Sequence, residues 1–390
     1  MQIFLKFLGF FTLYIIVCCT NTTDDSENPS DTSALVSSTL VTELSIDDIN
    51  NRAGGAINTT ASNEVDVYKI IYKTVNVDGD LINVSGLVLV PELNEEIPLL
   101  SYQHGTITNS SQAPSFFSNT SVASREGAMI ASNGYAVIMP DYIGYGESSD
   151  QLHPYEHAAT LASTSYDMIV AAKEFFEEKN ITISNQLFLT GYSEGGGATM
   201  ALHKYIEKNS DWVVTMSAPA SGAYNKTAFS LDVINRDENL SFLSFYIWVL
   251  DTYNRIYEIN RPWEDIVIAD QAALLNSISD PMLFPATAIN TNPSQLFTTS
   301  FINNFSNESD TEFTEAFIDN NLFDWTPQYP ITLYYGTADD FVIPLNSISA
   351  FDAIEANGGT ISRVIYDGEN HFTTFDLYIN DVFNLFESFR

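Results

Sequence analysis

Gly191-Tyr192-Ser193-Glu194-Gly195 is the stretch from which the rest of the chain can be read. It follows Leu187-Phe188-Leu189, an apolar run of strand type, and leads into Gly196-Gly197-Ala198-Thr199-Met200-Ala201-Leu202, which reads as the start of a helix. A serine hydroxyl is a poor nucleophile until it is held where a base can take its proton. A sharp strand-to-helix turn does this by lifting the side chain above the edge of a sheet. The glycines let backbone segments pass close to one another at a strained residue. A Gly-rich turn with no chemistry would share the five letters, but not the strand before them and the helix after them.

The flanking chain supplies such a sheet. Val65–Val77 and Leu81–Val90 read as strands joined by the turn Asp78-Gly79-Asp80. Ile97–Gln103 is a buried strand that ends in His104-Gly105-Thr106, where a backbone N–H, that of Thr106, is placed to meet a developing oxyanion. A helix over Ser121–Asn133, capped by Gly134, precedes a buried strand over Tyr135–Met139 and the Gly-rich loop Asp141–Ser148. Leu161, Met168, Ile169, Ala172, Phe175 and Phe176 have helical spacing within Ala158–Lys179. Strand and helix alternate from here through the Ser193 turn, which calls for a parallel sheet covered on both faces.

Trp212–Ala218 is the next strand, and about 110 residues pass before the one after it, Ile331–Tyr335. A stretch of that length is an inserted unit rather than a loop. The insertion, Gly222–Gln328, is helical in texture and rich in aromatics, including Phe242, Phe245, Tyr246, Trp248, Tyr253, Tyr257, Trp263, Phe284, Phe297 and Phe301. Most of these are expected to form its own core, leaving a few to face a substrate. A helix over Asn346–Asn357, a strand over Ile361–Tyr366 and a final amphipathic helix reaching Phe389 complete the chain.

A nucleophilic serine needs a base, and the base needs an acid that fixes its tautomer. The chain has five histidines. His104, His153 and His157 precede the serine, His203 lies further along its helix, and His371 follows the last strand at the sheet edge where Ser193 must stand. Asp339, three residues past Gly336, sits in a turn on that same edge. Its neighbour Asp340 is assigned the role of capping the turn. The order Ser193, Asp339, His371 is the one this architecture requires.

With these residues in place the chain resembles an α/β-hydrolase, and more narrowly the secretory lipase group that includes the fungal lipase A type and its bacterial relatives. The narrower match rests on Tyr102-Gln103-His104-Gly105, Pro140–Gly146, His153-Pro154-Tyr155, Gly191–Gly196 and Pro330–Gly336 with Asp339. The resemblance covers about Val65–Arg390. It implies a mostly parallel eight-stranded sheet with helices on both faces and a helical lid where the insertion falls. It also implies acyl esters as substrates, cleaved through an acyl-enzyme on Ser193, with the N–H groups of Glu194 and of a residue near Thr106 holding the oxyanion. No metal or other cofactor is required. The disulfides common in the fungal members are absent here. Two other functions compete: a serine peptidase of the same superfamily, and a surface binding protein on a dead hydrolase fold.

Composition bounds the partners. The 390 residues include 50 acidic and 15 basic ones, a formal charge of −35, and 45% hydrophobic residues, enough for a large core. Such a surface repels nucleic acid and anionic lipid, so neither is expected to dock. At the N-terminus Lys6 precedes the eleven-residue apolar run Phe7–Val17, too short to span a bilayer but suited to a signal peptide. Cys18-Cys19 and the polar run from Thr20 resemble a bacterial lipoprotein signal, with Cys19, or else Cys18, as the lipidated residue. The expected organisation is a signal peptide over 1–19, a polar tether over 20–62 with a short helix within Leu40–Ile49, hydrolase core over 63–221 and 329–390, and the lid over 222–328. A protein so built is exported and held to the bacterial cell surface by its lipid alone. Both cysteines lie in the signal, so no disulfide is expected in the mature chain. The many N-x-[S/T] sequons, at Asn83, Asn119, Asn180 and Asn225 among others, follow from composition.

Overall fold

The computed structural model describes residues 33–390, so Cys18, Cys19 and the start of the tether lie outside the described residues. Nine strands form one sheet in the order β1-β2-β3-β5-β4-β6-β7-β8-β9. They are β1 (Leu35–Leu44), β2 (Val65–Val75), β3 (Leu81–Pro91), β4 (Ile97–Gln103), β5 (Ala136–Pro140), β6 (Ile183–Tyr192), β7 (Val214–Ala220), β8 (Ile331–Gly336) and β9 (Ile361–Tyr366). From β5 to β9 every pairing is parallel, whereas β1, β2 and β3 form an antiparallel meander that joins the rest through β3 and β5. Strands β4 and β5 are buried along their whole length, as strands covered on both faces must be.

The expected sheet has eight strands, and the ninth comes out of the segment read as a tether. Residues 33–62 are folded onto the core. β1 pairs with β2 from Leu35 opposite Tyr72 to Leu44 opposite Val65. Its sequence, Leu-Val-Ser-Ser-Thr-Leu-Val-Thr-Glu-Leu, buries only the two terminal leucines, so hydrogen bonding rather than apolar burial fixes it. The Glu174 carboxylate adds to this by accepting from the backbone N–H groups of Ala34 and Leu35 at 3.1 and 2.8 Å. Helix α1 (Ile46–Ala53) follows, somewhat later than the short helix expected within Leu40–Ile49. Ser45 and Asp48 form a capping box at its start, and Gly54 closes it at φ 56°. Ile49, Ala53, Ile57 and Ala61 then enter the main core. Few large apolar groups did not prevent folding, because an edge strand and a one-sided helix need few.

The helix expected over Ser121–Asn133 is present in two parts, a π-helical turn over Ala123–Gly127 and α2 (Ala128–Ser132). Glu126 in that turn is 1% exposed, and burial pushes its carboxyl up to about 7. The Arg125 guanidinium, 3.8 Å away and itself well exposed, lowers it only in part. Between its ordinary value of 4.5 and about 7 the folded chain holds a proton that the unfolded chain has released. Stability is therefore lost as pH rises through that window. Glu126→Gln is expected to track the wild type at pH 4 and to be more stable at pH 8 by on the order of 3 kcal/mol, read from urea midpoints at the two pH values.

Helices α3 (Ala158–Lys179) and α4 (Glu194–Asn209) pack on each other and on the sheet. Between β7 and β8 the chain forms α5 (Lys226–Ile234), α6 (Leu243–Ile256), α7 (Trp263–Ile266), α8 (Ala269–Asn276), α9 (Pro293–Leu296), α10 (Thr299–Ser306) and α11 (Thr311–Asp319). Their shared core holds Phe242, Tyr246, Trp248, Tyr253, Trp263, Phe284, Phe297 and Phe301, with Phe245 and Tyr257 packed against it. Helices α12 (Leu345–Ala356) and α13 (His371–Glu387) close the fold. Among the described residues no helix is long and apolar enough to cross a membrane.

Candidate active site

Ser193 stands between β6 and α4 with φ 60° and ψ −123°, a conformation that favours glycine and that side chains adopt only under constraint. The constraint is visible. Its N–H donates to the Ala220 carbonyl at the end of β7, and its own carbonyl accepts from Gly196 and Gly197 as α4 begins. Gly195 can be nothing else, because a Cβ there would lie 2.1 Å from the Gln103 carbonyl oxygen. β4 and the nucleophile turn are packed backbone against backbone.

His371 is the first residue of α13, and Asn370 caps that helix with its side chain. The His371 Nε2 lies 3.0 Å from Ser193 Oγ, and its Nδ1 lies 2.8 Å from Asp339 Oδ2. Asp339 is 3% exposed in the turn after β8. Its other oxygen, Oδ1, accepts from the N–H groups of Phe341 and Val342 at 3.0 and 2.8 Å. The turn-capping role assigned to Asp340 thus belongs to Asp339 as well, and Asp340 is exposed. His371 is held by two further contacts, one to its ring and one to its backbone. The Phe341 ring stacks on it at 4.9 Å, and the Tyr192 hydroxyl donates to the His371 carbonyl at 2.6 Å.

The other histidines are elsewhere. His203 pairs with Glu207 at 2.9 Å, and His157, whose pKa burial lowers to about 4, meets Thr160. His104 stacks on Tyr142, its ring nitrogens beside the carbonyls of Gly105 and Asp141. His153 forms a wholly buried pair with Glu194, Nε2 to Oε1 at 2.8 Å, while its Nδ1 donates to the Ile143 carbonyl. This pair, lying behind the nucleophile, was not foreseen. An acidic residue at the buried start of a helix was its signal, since such a carboxylate requires a partner.

Two hollows meet at Ser193. An open cleft of about 620 Å³ runs past Gly105, Thr106, His371 and Phe372. A Cβ on Gly105 would stand 3.7 Å from Ser193 Cβ, so the end of β4, with Thr106 next in line, lies directly beside the nucleophile. The Thr106 hydroxyl bonds to that of Tyr155 at 3.0 Å. On the other side is a cavity of about 50 Å³ that the insertion walls with Phe229, Phe242, Phe245 and Tyr246. Phe245 and Phe341 border both hollows and part them at Ser193. Lys226 and Glu156 also line this cavity, 2.8 Å apart and nearly buried, and burial raises the Glu156 carboxyl against the pull of the ammonium. Among the described residues no group of His, Cys, Asp and Glu is arranged to hold a metal ion.

The sheet order, the helices on both faces and a serine on a strand-to-helix turn define an α/β-hydrolase. The family model for secretory lipases matches residues 112–375, and the chain belongs to that family, as a carboxylic ester hydrolase. A candidate hydrolase from Legionella pneumophila superposes with a TM-score of 0.81 at 26% identity, over 91% of this chain and 98% of that one. The rice cell wall degrading esterase LipA from Xanthomonas oryzae gives 0.82 at 24% identity, over 92% and 99%. Candida antarctica lipase A shares the fold at a TM-score of 0.60 and 15% identity, over 86% and 77%. No curated protein matches the chain in sequence. Membership of a secretory family points to export.

Proposed function

We propose that the protein cleaves carboxylic esters through an acyl-enzyme on Ser193. The observation that carries this reading is the unbroken chain from Asp339 Oδ2 to His371 Nδ1 and from His371 Nε2 to Ser193 Oγ, at 2.8 and 3.0 Å. Ser193 Oγ attacks the ester carbonyl while His371 Nε2 takes its proton, and Asp339 stabilises the imidazolium. The N–H groups of Glu194 and Thr106 hold the oxyanion. The alcohol departs with the proton from His371 through the open cleft, and water admitted there, deprotonated by His371, releases the acid. The insertion over 222–328 acts as the lid that shapes the acyl side.

A fluorophosphonate probe tests this. It is expected to add one phosphonyl group to Ser193 of the intact protein by mass spectrometry, and none to Ser193→Ala. A panel of p-nitrophenyl esters beside aminoacyl nitroanilides then separates an esterase from a peptidase. Absence of labelling in a folded protein would leave only a binding role.

The insertion carries 15 acidic and 4 basic residues over 223–328, a net of −11, which opposes adsorption to anionic lipid. Soluble esters of short to medium acyl chains are therefore the proposed substrates. Attachment to a membrane is assigned instead to a lipid on Cys19 or Cys18. Replacing both cysteines by Ser is expected to move the protein from the detergent phase to the aqueous phase of a Triton X-114 partition. Retention in the detergent phase would mean that another anchor holds it.

A further inference from the structure

We infer that the small cavity beside Ser193 is a subsite for a short acyl group bearing a hydroxyl, which Lys226 and Glu156 recognise; this rests on Ser193 being the acylated residue. The cavity holds about 50 Å³. That is room for roughly three to five water-sized groups, so an acyl chain of about four carbons fills it. Phe229, Phe242, Val249 and Phe341 make its walls apolar. Its floor is not apolar. Lys226, in the first turn of α5, is 4% exposed, and Glu156, in the loop before α3, is 7% exposed.

The floor has unused bonding capacity. Lys226 Nζ, with three N–H groups, donates to the Ala223 carbonyl at 2.9 Å and forms an ion pair with Glu156 Oε2 at 2.8 Å. At least one of its N–H groups has no acceptor among the described residues. Glu156 Oε2 is held by the neighbouring charge but accepts no well-directed hydrogen bond. A donor and an acceptor therefore stand side by side at the end of an apolar slot. One hydroxyl satisfies both, its oxygen accepting from Nζ and its hydrogen going to Oε2. Because the ammonium and the carboxylate compensate each other, the floor offers no net charge to an acyl group that carries a carboxylate or an amine.

The reach is set by α4. Gly197 lies one helical turn past Ser193, and a Cβ on it would stand 3.5 Å from Glu156 Oε2 and 3.9 Å from Lys226 Nζ. One turn rises about 5.4 Å. For an acyl group on Ser193, a hydroxyl on the third carbon is the substituent assigned to this pair, whereas an unsubstituted chain leaves the two polar groups unpaired.

The test uses ethyl butyrate and each enantiomer of ethyl 3-hydroxybutyrate, with acid release followed by pH-stat. For the wild type, kcat/KM for one 3-hydroxybutyrate enantiomer is expected to exceed that for butyrate by on the order of tenfold. Lys226→Met alone would strand a buried carboxylate, so the variant is Lys226→Met with Glu156→Gln, in which the ratio is expected to fall to about one. A wild type that cleaves butyrate at least as well as both hydroxy esters overturns the inference, whether or not the variant folds. A preference that survives in the folded double variant overturns the assignment to these two residues. Failure to cleave any of the three would strike at the Ser193 reading itself.

Discussion

Ser193→Ala is expected to lower kcat for a soluble ester by about 10⁶-fold, the scale that loss of a serine nucleophile has where the triad acts as a unit. The melting temperature should barely move. Alanine keeps a Cβ at φ 60°, so the backbone strain of the turn remains, and the hydroxyl removed donates to nothing that the fold depends on. Ser193→Gly separates the two roles of the position. It is equally inactive, but glycine adopts φ 60° without strain. Part of the 1–3 kcal/mol that such a conformation costs is recovered, offset by the greater freedom of glycine in the unfolded chain. A net gain of about 1 kcal/mol by urea denaturation is expected. A Gly variant less stable than the Ala variant would show that the turn is not strained.

Asp339→Asn is expected to cost about 10⁴-fold in kcat with the fold retained. An asparagine Oδ1 can still accept from the N–H groups of Phe341 and Val342, as the aspartate Oδ1 does. The atom facing His371 Nδ1 becomes an NH₂, a donor, so the ring must present a lone pair at Nδ1 and carry its proton on Nε2, where it cannot take one from Ser193. Asp340→Asn, at an exposed neighbour, is expected to leave turnover within about twofold and stability within about 0.5 kcal/mol. Turnover and melting temperature measured on both variants decide the matter. If Asp340→Asn is the inactive one, the turn after β8 is misread by one residue.

The parts of the molecule legible in the sequence are those whose signal is local. The strand before Ser193 and the glycines after it are contiguous, and His371 and Asp339 could be located because each follows a strand that must end on the same edge. The expected helices α3 and α13 carried their own periodicity. What escaped was the structure that distant groups make together. β1 lacks the regular alternation of a half-buried strand, with Val36, Leu40 and Val41 exposed, because it is held by its ladder with β2 and by Glu174. Ser45-Ile-Asp-Asp48 was a capping box in plain view, but within a run so polar that it read as tether. The pairing of His153 with Glu194 and of Lys226 with Glu156 spans 41 and 70 residues of sequence, and no spacing rule reaches across such gaps. The double use of Asp339 depends on a turn geometry that two adjacent aspartates do not reveal.

The edge strand β1 also bears on how the chain survives its own assembly. β2 is eleven residues long and lies flat beside β3, with Ile70 and Tyr72 turned inward, and without a neighbour its outer row of N–H and C=O groups would invite any other unpaired strand. The six parallel strands can align only after long crossovers have been made, which is slow work. The meander β1-β2-β3, by contrast, pairs strands adjacent in the chain and is complete by Pro91, long before the segment with Ser193 is available. Its outermost strand is broken by two register shifts, between Leu35 and Ser37 and between Leu40 and Thr42, which disrupt the edge as a template for another strand. In a chain of a secretory family the first sheet edge is thus occupied early in folding, and the slower half can form behind a border that recruits other chains poorly.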